Sequence, residues 1–147
     1  MNCPACFKPL AEIKVGSVKI DVCHGGCGGI WFDAFELERV ERAQHGAGGS
    51  LVRVTRAPAL SVDFSLKRDC PRCDGIKLKR HFFSARRQVE VDQCPNCGGY
   101  WLDAGELQKI HEEQTHSVAA RKINDAEISM AAIRFLYRQR LQERQNQ

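Results

Sequence analysis

One stretch of this chain is written twice. "CHGGCGGIWFDAFEL" runs from Cys23 to Leu37, and "CPNCGGYWLDAGEL" runs from Cys94 to Leu107. Each is preceded by another cysteine pair, Cys3 with Cys6 and Cys70 with Cys73. Cys27, Trp31, Asp33, Glu36 and Leu37 align with Cys97, Trp101, Asp103, Glu106 and Leu107 at one offset. Self-similarity of this kind means one small structural unit present in two copies. It divides the 147 residues into a first unit at 1–45, a linker at 46–66, a second unit at 67–116 and a tail at 117–147. "GAGGS" at Gly46–Ser50 marks the joint between the units.

The cysteine spacing is C-x2-C-x16-C-x3-C in the first unit and C-x2-C-x20-C-x2-C in the second. Four thiolates arriving as two close pairs suit the tetrahedral preference of zinc at a structural site. Units of about 45 residues bury too little apolar surface to be stable alone, so metal binding must supply much of their folding energy. The expected ligands are Cys3, Cys6, Cys23 and Cys27 for one zinc ion, and Cys70, Cys73, Cys94 and Cys97 for a second. A dithiol redox centre expects a βαβ context and a single motif instead. Iron in a rubredoxin-like site uses the same four thiolates and stays open on count alone. His24, beside Cys23 in the longer C-x3-C loop, reads as a loop residue because four sulfurs already complete the tetrahedron.

No apolar run approaches the roughly 18 residues of a membrane helix. The N-terminus has no basic segment leading into an apolar one, so the expectation is a cytoplasmic chain, where cysteines stay reduced. The formal charge of +4 comes from 22 basic and 18 acidic side chains. Eight thiolates and two zinc ions would bring it near zero, so only a local basic patch can argue for an acidic partner.

Alternating apolar residues on both sides of Gly16-Ser17 predict a tight hairpin in the first unit. Ile76, Leu78 and Phe82, then Val89 and Val91, predict a longer one in the second. Val62, Phe64 and Leu66 suggest a short strand entering that unit. Each unit should close in a short helix. Asp33 with Glu36, and Asp103 with Glu106, have the form of a capping box in which the Asp side chain accepts the N3 amide and the Glu reaches back. In the tail, Asn124 and Asp125 offer a cap for an amphipathic helix whose apolar stripes include Ile133 and Phe135. The expected fold is therefore small α+β: two zinc-closed units, each a β-hairpin plus a short helix, followed by a C-terminal amphipathic helix.

"CPACFKPL" with "IDVCHGGCGGIWFDAFEL", read against "CPRC" with "VEVDQCPNCGGYWLDAGEL", resembles the transcription factor IIB-type zinc-finger family of bacteria, in two tandem copies. The likeness spans about residues 3–41 and 70–110 and includes every proposed ligand. It implies zinc-ribbon folds and two structural zinc ions. The C-x3-C of the first unit departs from the C-P-x-C form of the second, and the extra residue should be absorbed in the loop. The general transcription factor itself carries two cyclin-like domains of about 100 residues each, for which there is no room.

No open metal position and no nucleophile with its base is apparent, so the chain reads as a binding module, not an enzyme. The best interaction surface is "KLKRHFFSARR", Lys77 to Arg87, which holds no acid. The expected nucleic-acid contacts are Lys77, Lys79, Arg80, Phe83, Arg86 and Arg87. Strand alternation puts Lys77, Lys79, His81 and Phe83 on one face, and Leu78, Arg80 and Phe82 on the other. The first unit has no counterpart, since residues 1–50 carry five basic and six acidic side chains. The leading expectation is binding to nucleic acid or the transcription machinery through this hairpin. The alternative is a protein-interaction adaptor, or self-association, through residues 125–143 with the zinc sites purely structural.

Overall fold

The computed structural model describes residues 1–45 and 53–116. Met1–His111 form one compact body that contains both repeats, and Glu112–Gln147 belong to a second. The expected C-terminal helix and its stripe at 125–143 lie outside the described residues.

The first unit contributes β1 (Ala11–Val15), β2 (Val18–Val22), β3 (Ile30–Phe32) and α1 (Glu36–His45). The second contributes β4 (Lys79–Phe82), β5 (Glu90–Gln93) and β6 (Tyr100–Leu102), followed by a helix, α2, over 106–116. Val15 pairs with Val18 across the predicted two-residue turn, and Gly16 takes the positive φ of 60° that this turn demands.

The two units are joined edge to edge. All six strands form one antiparallel sheet in the order β1-β2-β3-β6-β5-β4. At its centre Ile30 pairs with Leu102, Trp31 with Trp101 and Phe32 with Tyr100, a register that maps onto itself when the copies are exchanged. The repeats therefore pair as an isologous dimer would, within one chain. Three-residue strands left as edges would expose unpaired N–H and C=O groups, and this pairing satisfies them.

Strand alternation sorts the core into two layers. One face carries Val18, Ile20, Val22, Ile30, Phe32, Val89, Val91 and Leu102, packed with Leu37 and Val40 of α1 and Leu107 and Ile110 of α2. The other carries Trp31, Trp101 and Leu78 together with the cysteines. Each tryptophan lies on the other unit's backbone. A Cβ on Gly29 would fall 2.2 Å from the Trp101 ring, and one on Gly99 would fall 2.2 Å from the Trp31 ring. These glycines are needed for close approach, whereas Gly28 and Gly98 supply the turn with φ near 79° and 73°.

Two local expectations are corrected. Residues 62–66 form no strand. The Asp63 carboxylate accepts the Ser65 amide at 2.9 Å and the Ser65 hydroxyl at 2.6 Å, which folds the chain into a turn at Phe64. The capping boxes are half as expected. Glu36 and Glu106 do reach back, accepting the amides of Asp33 at 2.8 Å and Asp103 at 2.7 Å. The aspartate side chains instead accept the indole N–H of Trp31 and Trp101, both at 3.0 Å. A buried indole N–H needs a partner, and an aspartate two residues along a strand lies on the same face.

Candidate metal centres

In each unit the hairpin and the knuckle before β3 or β6 bring four cysteine sulfurs together. Cys3, Cys6, Cys23 and Cys27 form one group, and Cys70, Cys73, Cys94 and Cys97 the other, with all sulfurs of a group within 4.8 Å of one another. A tetrahedral zinc at about 2.3 Å from each sulfur requires sulfurs about 3.8 Å apart. The separations are 3.4 Å for Cys3–Cys27 and Cys6–Cys23, 3.8 Å for Cys70–Cys97 and 4.0 Å for Cys73–Cys94. They bracket the requirement and far exceed a disulfide's length of about 2.05 Å. All eight thiols are free.

Backbone amides converge on the sulfurs, as thiolate charge requires. Ala5 and Cys6 donate to Cys3 at 3.3 and 3.4 Å, Cys73 donates to Cys70 at 3.3 Å, and Cys97 donates to Cys94 at 3.4 Å. The Asn96 side-chain amide adds a donor to Cys73 at 3.2 Å. In each group one sulfur is ready to ionise. A hydrogen bond from Cys3 brings Cys27 down to about 5 against its burial, with the Gly29 amide helping. Burial opposes ionisation of Cys94, but the amides of Cys97 and Asn96 and the neighbouring thiols bring it to about 7. Burial pushes Cys23 up to about 11 and Cys70 up to about 12. The donor set, spacing and amide cradle fit two zinc ions, and zinc held there would close each hairpin onto its knuckle.

The extra residue of the first unit's C-x3-C loop has a structural task. The Gly25 amide donates to the Thr55 carbonyl at 2.9 Å, and the Ala57 amide donates to the Gly26 carbonyl at 2.8 Å. The linker is thereby strapped across the first unit's Cys23–Cys27 knuckle. His24 lies outside the sulfur group with Nε2 2.9 Å from the Thr55 hydroxyl, in agreement with its reading as a loop residue. In the second unit the residue after Cys94 is Pro95, which has no N–H to offer.

Two arginines tie the acidic steps together, and sequence reasoning missed both. Asp33 receives Arg72, a residue of the second unit's first knuckle, in a two-pronged ion pair. Asp103 receives Arg68 at 2.9 Å, and Arg68 also lies 3.5 Å from Asp92. Arg68 is only 4% exposed, so it neutralises carboxylates that burial would otherwise make costly. The position matching Arg72 in the first unit is Ala5, which has no charge to return. Nothing in the spacing of Arg68 and Arg72 reveals these pairs, because they depend on how the two copies dock.

The basic hairpin is partly spoken for. Lys77 pairs with Asp69 at 2.7 Å. Arg80 pairs with Asp92 at 3.0 and 3.1 Å and also donates to the Phe64 carbonyl at 2.5 Å. Among the described residues, Lys79 and Arg86 have no carboxylate partner, and Arg87 stands over the Phe82 ring at 6.0 Å. The alternation along β4 is as expected, but the faces are reversed. His81 lies opposite Val91 and the Phe83 amide donates to the Val89 carbonyl, and both valines belong to the core. Phe83 therefore packs inward, and the exposed aromatic is Phe82.

A family model described as transcription factor zinc-finger, of the TFIIB zinc-ribbon type, matches residues 2–43 and 69–113. No curated protein and no solved structure matches the chain. The matched segments contain all eight cysteines and the three central strand pairs, so their two copies correspond to the two halves of the sheet. The chain belongs to the transcription factor zinc-finger family, as two tandem copies of its zinc ribbon.

Proposed function

We propose that this zinc-binding module, with its two sites of four cysteines each, binds nucleic acid through the hairpin of its second unit, as part of or beside the transcription machinery. The observation that carries this reading is the turn end of the second hairpin, where Phe82 is exposed with Arg87 over its ring and the exposed Arg86 follows in the same turn. A flat ring beside cations is suited to a phosphate backbone and an unpaired base, and less suited to an acidic protein patch. Sites closed by four thiolates leave no position for a substrate, which favours binding over catalysis. No helix among the described residues is long and apolar enough to cross a membrane.

The test is a salt titration of the zinc-loaded chain with DNA and RNA. Each phosphate neutralised should contribute a slope of about −0.9 on a duplex, or about −0.7 on a single strand, in log affinity against log salt. The double variant Lys79→Glu, Arg86→Glu should lower affinity at least tenfold and flatten that slope by about two phosphates. Lys77→Glu should matter less, since Lys77 is already paired. Unchanged affinity in the double variant would remove the hairpin from the reading.

A further inference from the structure

Beside this hairpin lies a cavity of about 420 Å³ between the linker and β4, lined by Leu66, Lys67, Leu78, Lys79, Arg80 and Asp92. Resting on the nucleic-acid reading above, we infer that this cavity receives one unpaired base, so the surface takes single-stranded nucleic acid in preference to a duplex. The volume is within the range of small-ligand sites. Leu66, 62% exposed, and the buried Leu78 give it apolar walls, and Lys67 adds a cation to its lining. Arg80 uses three of its five guanidinium N–H groups on Asp92 and Phe64, which leaves donors for the edge of a base.

The neighbouring ring supplies the second contact. Arg80 and Phe82 point to the same face of β4, about 7 Å apart along the strand. A base stacked on Phe82 therefore leaves its neighbour within reach of the cavity. A duplex keeps its bases inside the stack and can offer this face only phosphates. The apolar walls and the exposed ring then gain nothing from it. Glu90, directly across from Phe82, is the carboxylate that opposes a phosphate here.

The experiment compares a labelled single strand with its duplex by fluorescence anisotropy, using the full zinc-loaded chain at low and moderate salt. The expected result is at least tenfold tighter binding of the single strand. Phe82→Ala and the uncharged Leu66→Ser should each lower that affinity roughly tenfold, the effect of losing one contact to a base, without changing duplex binding. Glu90→Gln should raise affinity for both. Both aromatic and aliphatic targets are exposed, and a zinc content of two per chain verifies that each variant is folded. Equal or tighter duplex binding, or single-strand binding unmoved by both variants, would overturn the inference and leave the nucleic-acid reading standing. No binding of either form at low salt would overturn both.

Discussion

The two ribbons share a plan and differ in what they expose. At two places where the second unit has a glycine with positive φ, the first has a phenylalanine. Phe7, φ 62°, precedes the Lys8 carbonyl that accepts the Cys3 amide, and Gly75, φ 69°, precedes the Ile76 carbonyl that accepts the Cys70 amide. Gly105, φ 88°, likewise stands where Phe35 has φ 70°. Both phenylalanines are largely exposed, at 77% and 69%. Left-handed backbone costs a side-chain-bearing residue roughly 1–2 kcal/mol. At these two places the first unit carries strain that the second avoids, while the second has its own left-handed residue at Arg87, φ 55°, in the hairpin turn. The first unit recovers rigidity elsewhere, because the linker is strapped to its knuckle by Gly25 and Gly26. Among the described residues the second unit has no such strap, and it extends its hairpin instead, with Phe82, Arg86 and Arg87 at the open end. On the function proposed above, duplication has divided the labour: one copy anchors the chain and the other presents the binding surface.

The strongest way to break this comparison is to remove one metal. Structural zinc contributes on the order of 10–16 kcal/mol, so Cys27→Ser and Cys97→Ser should each lose one ion by native mass spectrometry. Because Trp31 and Trp101 pack across the shared strands, each variant should also disturb the near-ultraviolet signal of both tryptophans. A variant that loses its own zinc and leaves the other unit's signal intact would show that the halves fold independently.

The arginines give the next largest effect. Arg68→Ala leaves Asp92 and Asp103 without their buried cation and should cost about 3–5 kcal/mol in denaturant unfolding. Arg72→Ala removes a half-exposed pair with Asp33 and should cost less than about 1 kcal/mol. Equal costs would mean that the two acidic steps are equally buried, contrary to this structure.

A pH scan separates the caps. Burial raises Glu106 to about 7, against about 4.3 when unfolded, with Asp103 and Asp92 adding to the rise and Lys109 opposing it. A raised carboxyl stabilises the fold below the unfolded value, and that contribution is lost as pH rises through about 7. Between about pH 6 and 8 the native chain should lose about 1 kcal/mol relative to Glu106→Gln, whose amide oxygen can still accept the Asp103 amide. Parallel melting curves for the two proteins across that range would refute the assignment.

The smallest effect sharpens the contrast between copies. Phe35→Gly gives the first unit the second unit's residue and should raise stability by about 0.5–1 kcal/mol, the relief of strain less the added chain entropy. Gly105→Phe should do the opposite. A stability loss in Phe35→Gly would mean that the Phe35 ring makes a contact stronger than its exposure indicates.

Much of this is legible in the chain itself. The two groups of four cysteines, the Gly16 turn and the reach-back of Glu36 and Glu106 follow from local spacing, because a knuckle, a hairpin turn and a helix start each span only a few residues. What failed was also local in cause. The Asp33 and Asp103 side chains have two possible donors, an amide and an indole, and only burial of the indole decides between them. Alternation correctly divided β4 into two faces but could not say which one turns inward, so Phe83 was exchanged for Phe82.

Covalent order along the chain was enough to determine two metal-closed units, since cysteines at fixed spacing can meet only in a few ways. Whether those units stand apart or share a sheet depends on contacts between residues about 70 positions away from each other. Gly29 beneath Trp101, Gly99 beneath Trp31 and the register of β3 on β6 make that choice. The pairs of Arg72 with Asp33 and of Arg68 with Asp103 then follow from it. Such contacts leave no periodicity in either copy, because each residue's partner is set by docking and not by spacing.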